Sequence, residues 1–162
     1  MNGILWSDLH LHTWSQCSKL VNNINDRLLD GINVVKQVIT YFVEGNYDFC
    51  IFCGDLFHKR GEIPTSGFYL LTKVLQEAKY KHPNIFDNWF WLIGNHDQDA
   101  QNPEFHNLLF LNEFGTVIDK HDIYRTSTTK VELTFSAHPW MDDRLQWREE
   151  YLNVIGKNQK EI

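Results

Sequence analysis

The run YDFCIFC, Tyr47 to Cys53, is almost continuously apolar and stops at Gly54-Asp55. A run of this length with no polar face suits a strand covered on both sides, as in a sheet sandwiched between helices. Two further stretches have the same character. Gly3 to Ser7 reads as a short strand breaking into a polar loop, and Trp89 to Ile93 reads as a third buried strand stopping at Gly94-Asn95-His96-Asp97. Between them, Leu28, Leu29, Ile32, Val35, Ile39 and Phe42 fall at helical spacing across residues 26–44, with Gly45-Asn46 as a stop. Phe68, Leu71, Val74, Leu75 and Ala78 repeat that spacing across residues 64–81, after candidate caps at Thr65 and Ser66. Strands alternating with helices in this way predict an α/β fold.

The remainder is less regular. Asn102-Pro103 has the form of an N-cap followed by proline at the first helical position, which predicts a helix through about Phe114. From Gly115 onward the segments TVI, DIYRTS and KVELTFSA are short, and the last two alternate, which predicts a sheet with antiparallel strands. A helix is expected from about Asp142 through about Val154, followed by a polar tail.

With 162 residues, the chain can bury one good core and is read as a single domain over residues 1–162. The net charge of -6, from 15 basic and 21 acidic side chains, argues against a module that binds nucleic acid by charge alone. It leaves room for an enzyme acting on nucleic acid, because bound cations offset acidic residues where phosphate must sit. No apolar run approaches a membrane span and no leader pattern opens the chain, so a cytoplasmic location is expected. Three cysteines do not make a disulfide framework, and Cys50 and Cys53, three apart on a strand, point to opposite faces and read as small apolar side chains.

All three strands end in residues able to bind metal: Asp8 and His10 after the first, Asp55 with His58 after the second, and Asn95, His96 and Asp97 after the third. Each has a plain reading alone, as a solvated loop, a Gly-Asp turn or a helix cap. Ligands bind open α/β sheets at the carboxyl ends of the strands, so three such groups on successive strands are expected to meet in one crevice. The opening segment SDLHLHTWS leaves two pairs to choose from, Asp8 with His10 or His10 with His12, since alternate residues share a face.

SDLH, GDLFH and GNHD, in that order and each after a hydrophobic strand, resemble the first three motifs of the calcineurin-like metallophosphoesterases over residues 4 to 97. GDLFH resembles the nuclease subunit of the SbcCD type of DNA repair complex, and SAHPWMDD resembles a segment of related phage recombination nucleases. The DLHxHT string is also similar to the PHP phosphoesterases, which would use His12 as a ligand, but the later ligands of that family have no match and GNHD has no place in it. The first resemblance implies a four-layer sandwich of mixed β-sheets flanked by helices. It implies a dinuclear centre in which Asp8 and His10 bind one ion, Asp55 bridges both and Asn95 binds the second. His96 is then expected to act on the scissile phosphate or leaving oxygen, oriented by Asp97, with His58 placing the DNA phosphate; apart from the resemblance, Lys59 and Arg60 are two basic loop residues able to add phosphate contacts. Such sites use two divalent ions, here manganese first, with iron, magnesium or zinc as alternatives.

The implied function is metal-dependent phosphodiester hydrolysis by a DNA exo- or endonuclease subunit in recombination or repair. DNA would be its substrate and an ATPase of the structural-maintenance type its partner; no membrane is involved, and a homodimer is allowed. The setting would be a bacterial or phage-infected host cytoplasm. The same motifs serve a phosphatase or phosphodiesterase acting on a phosphoprotein, nucleotide or small phosphoester, and a non-catalytic scaffold would retain the fold alone. Family members complete both metal sites with a Gly-His and a later Gly-His-x-His, and neither follows Asp97 here, where His138 stands in a Pro-Trp-Met context. The chain is therefore expected to be an incomplete domain at its carboxyl end, with weak metal affinity and low turnover.

Overall fold

The computed structural model describes residues 2–127, 132–141 and 143–158. The elements run β1 (Gly3–Trp6), β2 (Leu20–Val21), β3 (Ile24–Asn25), α1 (Asp26–Glu44), β4 (Phe49–Phe52), α2 (Thr65–Lys81) and β5 (Trp89–Leu92). After a short 3-10 turn at Leu109–Phe114 come β6 (Thr116–Ile118), β7 (Asp122–Ser127), β8 (Glu132–Ala137) and α3 (Arg144–Asn158). This is an α/β fold in which sheets, one parallel and others antiparallel, are flanked by helices.

The central sheet has the order β1-β4-β5-β6, with every pair parallel. Alternation along β5 explains how both faces are covered. Trp89 and Trp91 are completely buried on the face that meets α1 and α2, packed with Phe52, Leu71 and Leu75. Phe90 points the other way, into a smaller cluster with Ile118 and Ala137, against which Phe135 and Tyr124 of the β7–β8 ribbon pack. The Trp91 indole also donates to the Phe114 carbonyl at 2.7 Å, so its one polar atom is satisfied in the core. Truncating either tryptophan to alanine removes about 3–5 kcal/mol by the usual cost of a core cavity.

Several expectations are corrected. TVI, as β6, does not join an antiparallel sheet; it extends the parallel one beside β5. The predicted helix over residues 102–114 shrinks to the 3-10 turn, because amides that would continue the helix bind elsewhere, that of Asn107 donating to Asp97 O at 2.9 Å and that of Leu108 to His106 Nδ1 at 3.3 Å. Asp99 Oδ1 accepts from the amides of Gln101 and Asn102, and Asn102 Oδ1 accepts from that of Glu104. Helix α2 starts without a side-chain cap, its N-cap being Pro64 instead of Thr65 or Ser66. Helix α3 runs on to Asn158, past the expected Val154, while Asp142, the first residues of KVELTFSA and residues 159–162 lie outside the described residues. Cys50 is buried and its thiol is pushed far up by desolvation, whereas Cys53 is exposed, so the reading of both as small apolar side chains packed away from solvent holds for Cys50 alone. No helix among the described residues is long and apolar enough to cross a membrane.

Candidate metal centre

The site forms where the loops after β1, β4 and β5 run beside one another. The amide of Asp8 donates to Gly54 O at 3.0 Å, that of His10 to Asp55 O at 3.0 Å, and that of Leu11 to Leu56 O at 2.8 Å, so the first two loops continue the pairing of their strands. Asp8, His10 and Asp55 all adopt left-handed backbone, with φ of 56°, 44° and 64°. Non-glycine residues rarely adopt it, and three together mark a loop held against its own preference by surrounding bonds. Gly54 and Gly94 let the second and third loops touch: a Cβ on Gly94 would lie 2.2 Å from Asp55 Oδ1, and one on Gly54 would lie 2.8 Å from the Gly94 Cα.

Ligand atoms of Asp8, His10 and Asp55 lie within 4.8 Å of one another, and so do those of His10, His58 and His96. His10 belongs to both groups, its Nε2 standing 3.8 Å from Asp8 Oδ1 and 3.9 Å from Asp55 Oδ2. Asn95 joins from the third loop. The end of its amide that faces Asp55 lies 3.2 and 3.1 Å from the two carboxylate oxygens. With the nitrogen turned inward these are hydrogen bonds; with the oxygen inward, the oxygens of both residues gather as they would around a cation. This mixture of carboxylate, imidazole and amide oxygen fits manganese, iron or zinc.

Asp97 has a different task from the one expected. Its carboxylate is completely buried and accepts from the amides of Asp55 at 2.8 Å, Leu56 at 3.0 Å, Phe57 at 3.3 Å and Gly94 at 3.0 Å. Burial, with the nearby Asp55 charge, pushes its carboxyl up to about 6 against the pull of the amides, and two N–H donors on each oxygen suit the carboxylate form. It builds the loops and does not orient His96. The His96 ring is held instead through Nδ1 by the His58 carbonyl, while the His96 amide donates to Asp55 Oδ1 at 3.0 Å. A proton on Nδ1 for that carbonyl leaves Nε2 as the working atom, able to donate only in the doubly protonated ring.

The His58 ring lies against Trp14 at 4.3 Å between centroids and stacks on His96 at 5.7 Å. Burial, helped by the neighbouring His12, His10 and His96, lowers its pKa and favours the neutral ring. His12 contacts Trp14 and His58 but belongs to neither ligand group. The basic pair after it is used within the protein: Lys59 pairs with Glu62 at 3.2 Å, and Arg60 Nε donates to Asn95 O at 2.7 Å. Arg60 thus fixes the third loop, a role that two basic residues in a sequence do not announce.

The model of the calcineurin-like phosphoesterase family matches residues 4–157. The chain belongs to the calcineurin-like phosphoesterases. That membership makes a metal-dependent phosphoesterase the general reading of the two ligand groups, which together are consistent with a dinuclear centre. A search of curated proteins finds no significant match.

Two clefts share Asp8 in their walls. One, of about 810 Å³, is bordered by Asp55, Asn95, His138, Trp140, Arg144 and Trp147; the other, of about 640 Å³, by His10, Trp14, Arg27, His58 and His96. The Pro-Trp-Met segment is fixed to the end of β5, with the Trp140 amide donating to Ile93 O at 3.1 Å and buried Gln98 donating to Trp140 O at 2.8 Å. His138 is therefore a wall of the first cleft. Its Nδ1 lies 3.1 Å from His121 Nδ1, outside both ligand groups.

Proposed function

We propose that this phosphoesterase is a DNA nuclease that cleaves phosphodiesters with a pair of manganese ions held by Asp8, His10, Asp55 and Asn95. The observation that supports the reading is that Asp8 borders two clefts, one with Asp55 and Asn95 and the other with His10, His58 and His96. A phosphodiester has two substituents on phosphorus to accommodate, for which two clefts meeting at the ligand residues leave space, whereas a phosphomonoester has only one. Bound divalent ions supply an acidified water nucleophile and neutralise charge on the phosphoryl group.

The residues divide the remaining work. Asp55 is positioned to be shared, since its carboxylate faces His10, Asn95 and the amide of His96 at once. His96, held at Nδ1, presents Nε2 to the leaving oxygen, and the neutral His58 ring beside it places the phosphate. An ATPase of the structural-maintenance type as partner, in the cytoplasm and in DNA recombination or repair, belongs to the same proposal through GDLFH and Pro-Trp-Met.

The test compares turnover of linear DNA, duplex and single-stranded, with that of bis(4-nitrophenyl) phosphate at millimolar manganese. DNA is expected to be preferred in kcat/KM by about 100-fold or more, because remote contacts add binding energy that an aryl ester lacks. Turnover of the aryl ester with inertness toward every DNA would transfer the site to a small phosphoester.

A further inference from the structure

The second cleft is bordered by an arginine whose side chain rests on an aromatic ring. Arg27 lies in the first turn of α1, exposed, with its guanidinium carbon 4.5 Å from the centre of the Trp14 ring. Among the described residues it makes no ion pair, although Asp30 borders the same cleft and Asp26 precedes it in the chain. The Asp26 Oδ1 is occupied by the amides of Lys19 and Arg27.

The platform beneath the guanidinium is built with some care. Asn25 Oδ1 caps α1 by accepting from the Leu28 amide at 3.2 Å, while its Nδ2 donates to the Trp14 carbonyl at 2.7 Å. Ser18 Oγ donates to that same carbonyl. One asparagine therefore ties the tryptophan to the turn that carries the arginine. Trp14 also meets His58, whose ring lies near those of His96 and His10. A guanidinium stacked on an aromatic ring is oriented in advance and keeps its N–H donors for an anion.

We propose that Arg27, laid on Trp14, binds the phosphate next to the scissile one, so that the site takes a polynucleotide strand with at least two phosphates. The inference rests on the phosphodiesterase reading above and deepens it by naming a subsite. The same cleft is bordered by His10, His58 and His96, which places the arginine on the path of a strand entering the centre. Lysine does not substitute well, because a point charge gains little from the flat ring.

Fluorescence anisotropy of a labelled oligothymidylate, titrated with the full chain in manganese at several salt concentrations, tests this. Arg27→Gln is expected to weaken binding about tenfold to a hundredfold, the scale of one charge-assisted phosphate contact, and to reduce the salt slope by about one. Trp14→Ala is expected to weaken it less, with Trp14→Phe recovering part, and Lys73→Gln on α2, outside the cleft, serves as the charge control. Equal affinity and slope for Arg27→Gln and the unsubstituted chain would overturn the subsite alone. So would equal losses for Arg27→Gln and Lys73→Gln, since these indicate nonspecific attraction. Failure of the unsubstituted chain to bind any oligonucleotide would overturn the nuclease reading together with the subsite.

Discussion

Asp55→Asn is expected to reduce manganese-dependent phosphodiester hydrolysis by about 10³-fold or more, about 4 kcal/mol in the barrier, while the protein stays folded. The side chain is the one proposed to be shared. Its carboxylate lies 3.9 Å from His10 Nε2 and within 3.2 Å of the Asn95 amide, so losing its charge affects both halves of a dinuclear site. The fold should survive because the loop is held through the Asp55 main chain, its amide donating to Asp97 and its carbonyl accepting from His10. An asparagine oxygen also keeps an acceptor for the His96 amide. Parallel hydrolysis and circular dichroism measurements separate the effects: lost activity with an unchanged spectrum and melting curve is the expected pair. Hydrolysis retained within a few-fold would remove Asp55 from the centre.

The largest effect on stability is expected at Asp97. Asp97→Ala leaves the buried amides of Leu56 and Phe57, and the partly buried ones of Asp55 and Gly94, without an acceptor. Unsatisfied buried donors cost about 1–3 kcal/mol each, and partial relaxation brings the total to about 3 kcal/mol or more. That is a large part of the stability of an ordinary domain. Asp97→Asn should rescue poorly, since its NH2 group turns a donor toward other donors. Urea denaturation reads the outcome as a lowered midpoint with an unchanged slope. A midpoint within experimental scatter of the unsubstituted chain would show that these loops are held by something else.

Asp97 also illustrates what the residue order conceals. Sequence placed it beside His96 and suggested that it orients that ring; the fold buries it under the loop that carries Asp55, 42 positions away. The plain reading of Asn-His-Asp as a capping group was nearer for this residue, although the amides it satisfies belong to two different loops. The bond from Arg60 to the third loop was hidden for a similar reason, since a long side chain can turn back to a backbone carbonyl without any periodic signal.

Other features were legible because their cause is local. Continuous apolar runs around Phe52 and Trp91 required cover on both faces, and the structure provides helices on one and the β7–β8 ribbon on the other. Helix α1 ends at Gly45 with Asn46 in left-handed backbone, as those two residue types suggest. By contrast, residues 102–108 carried a helix-start pattern, and Asn102 does accept from the Glu104 amide, but the amides of Asn107 and Leu108 bind Asp97 O and His106 instead of the preceding turn. The direction of β6 was not readable at all, because three residues can pair either way and only the neighbour decides. Trp14 and Arg27, 13 positions apart and on different elements, offered no signal that they would meet.

The choice posed by SDLHLHTWS remains the most direct point of attack. Geometry groups Asp8 with His10 and Asp55, and puts His12 against Trp14 and His58 instead. Calorimetric titration of manganese into the full chain, Asp8→Ala and His12→Ala decides whether that grouping is a metal centre. Binding that is lost or weakened about tenfold or more in Asp8→Ala and kept in His12→Ala is the predicted result. Binding kept in Asp8→Ala and abolished in His12→Ala, or no manganese binding by the unsubstituted chain, would contradict it.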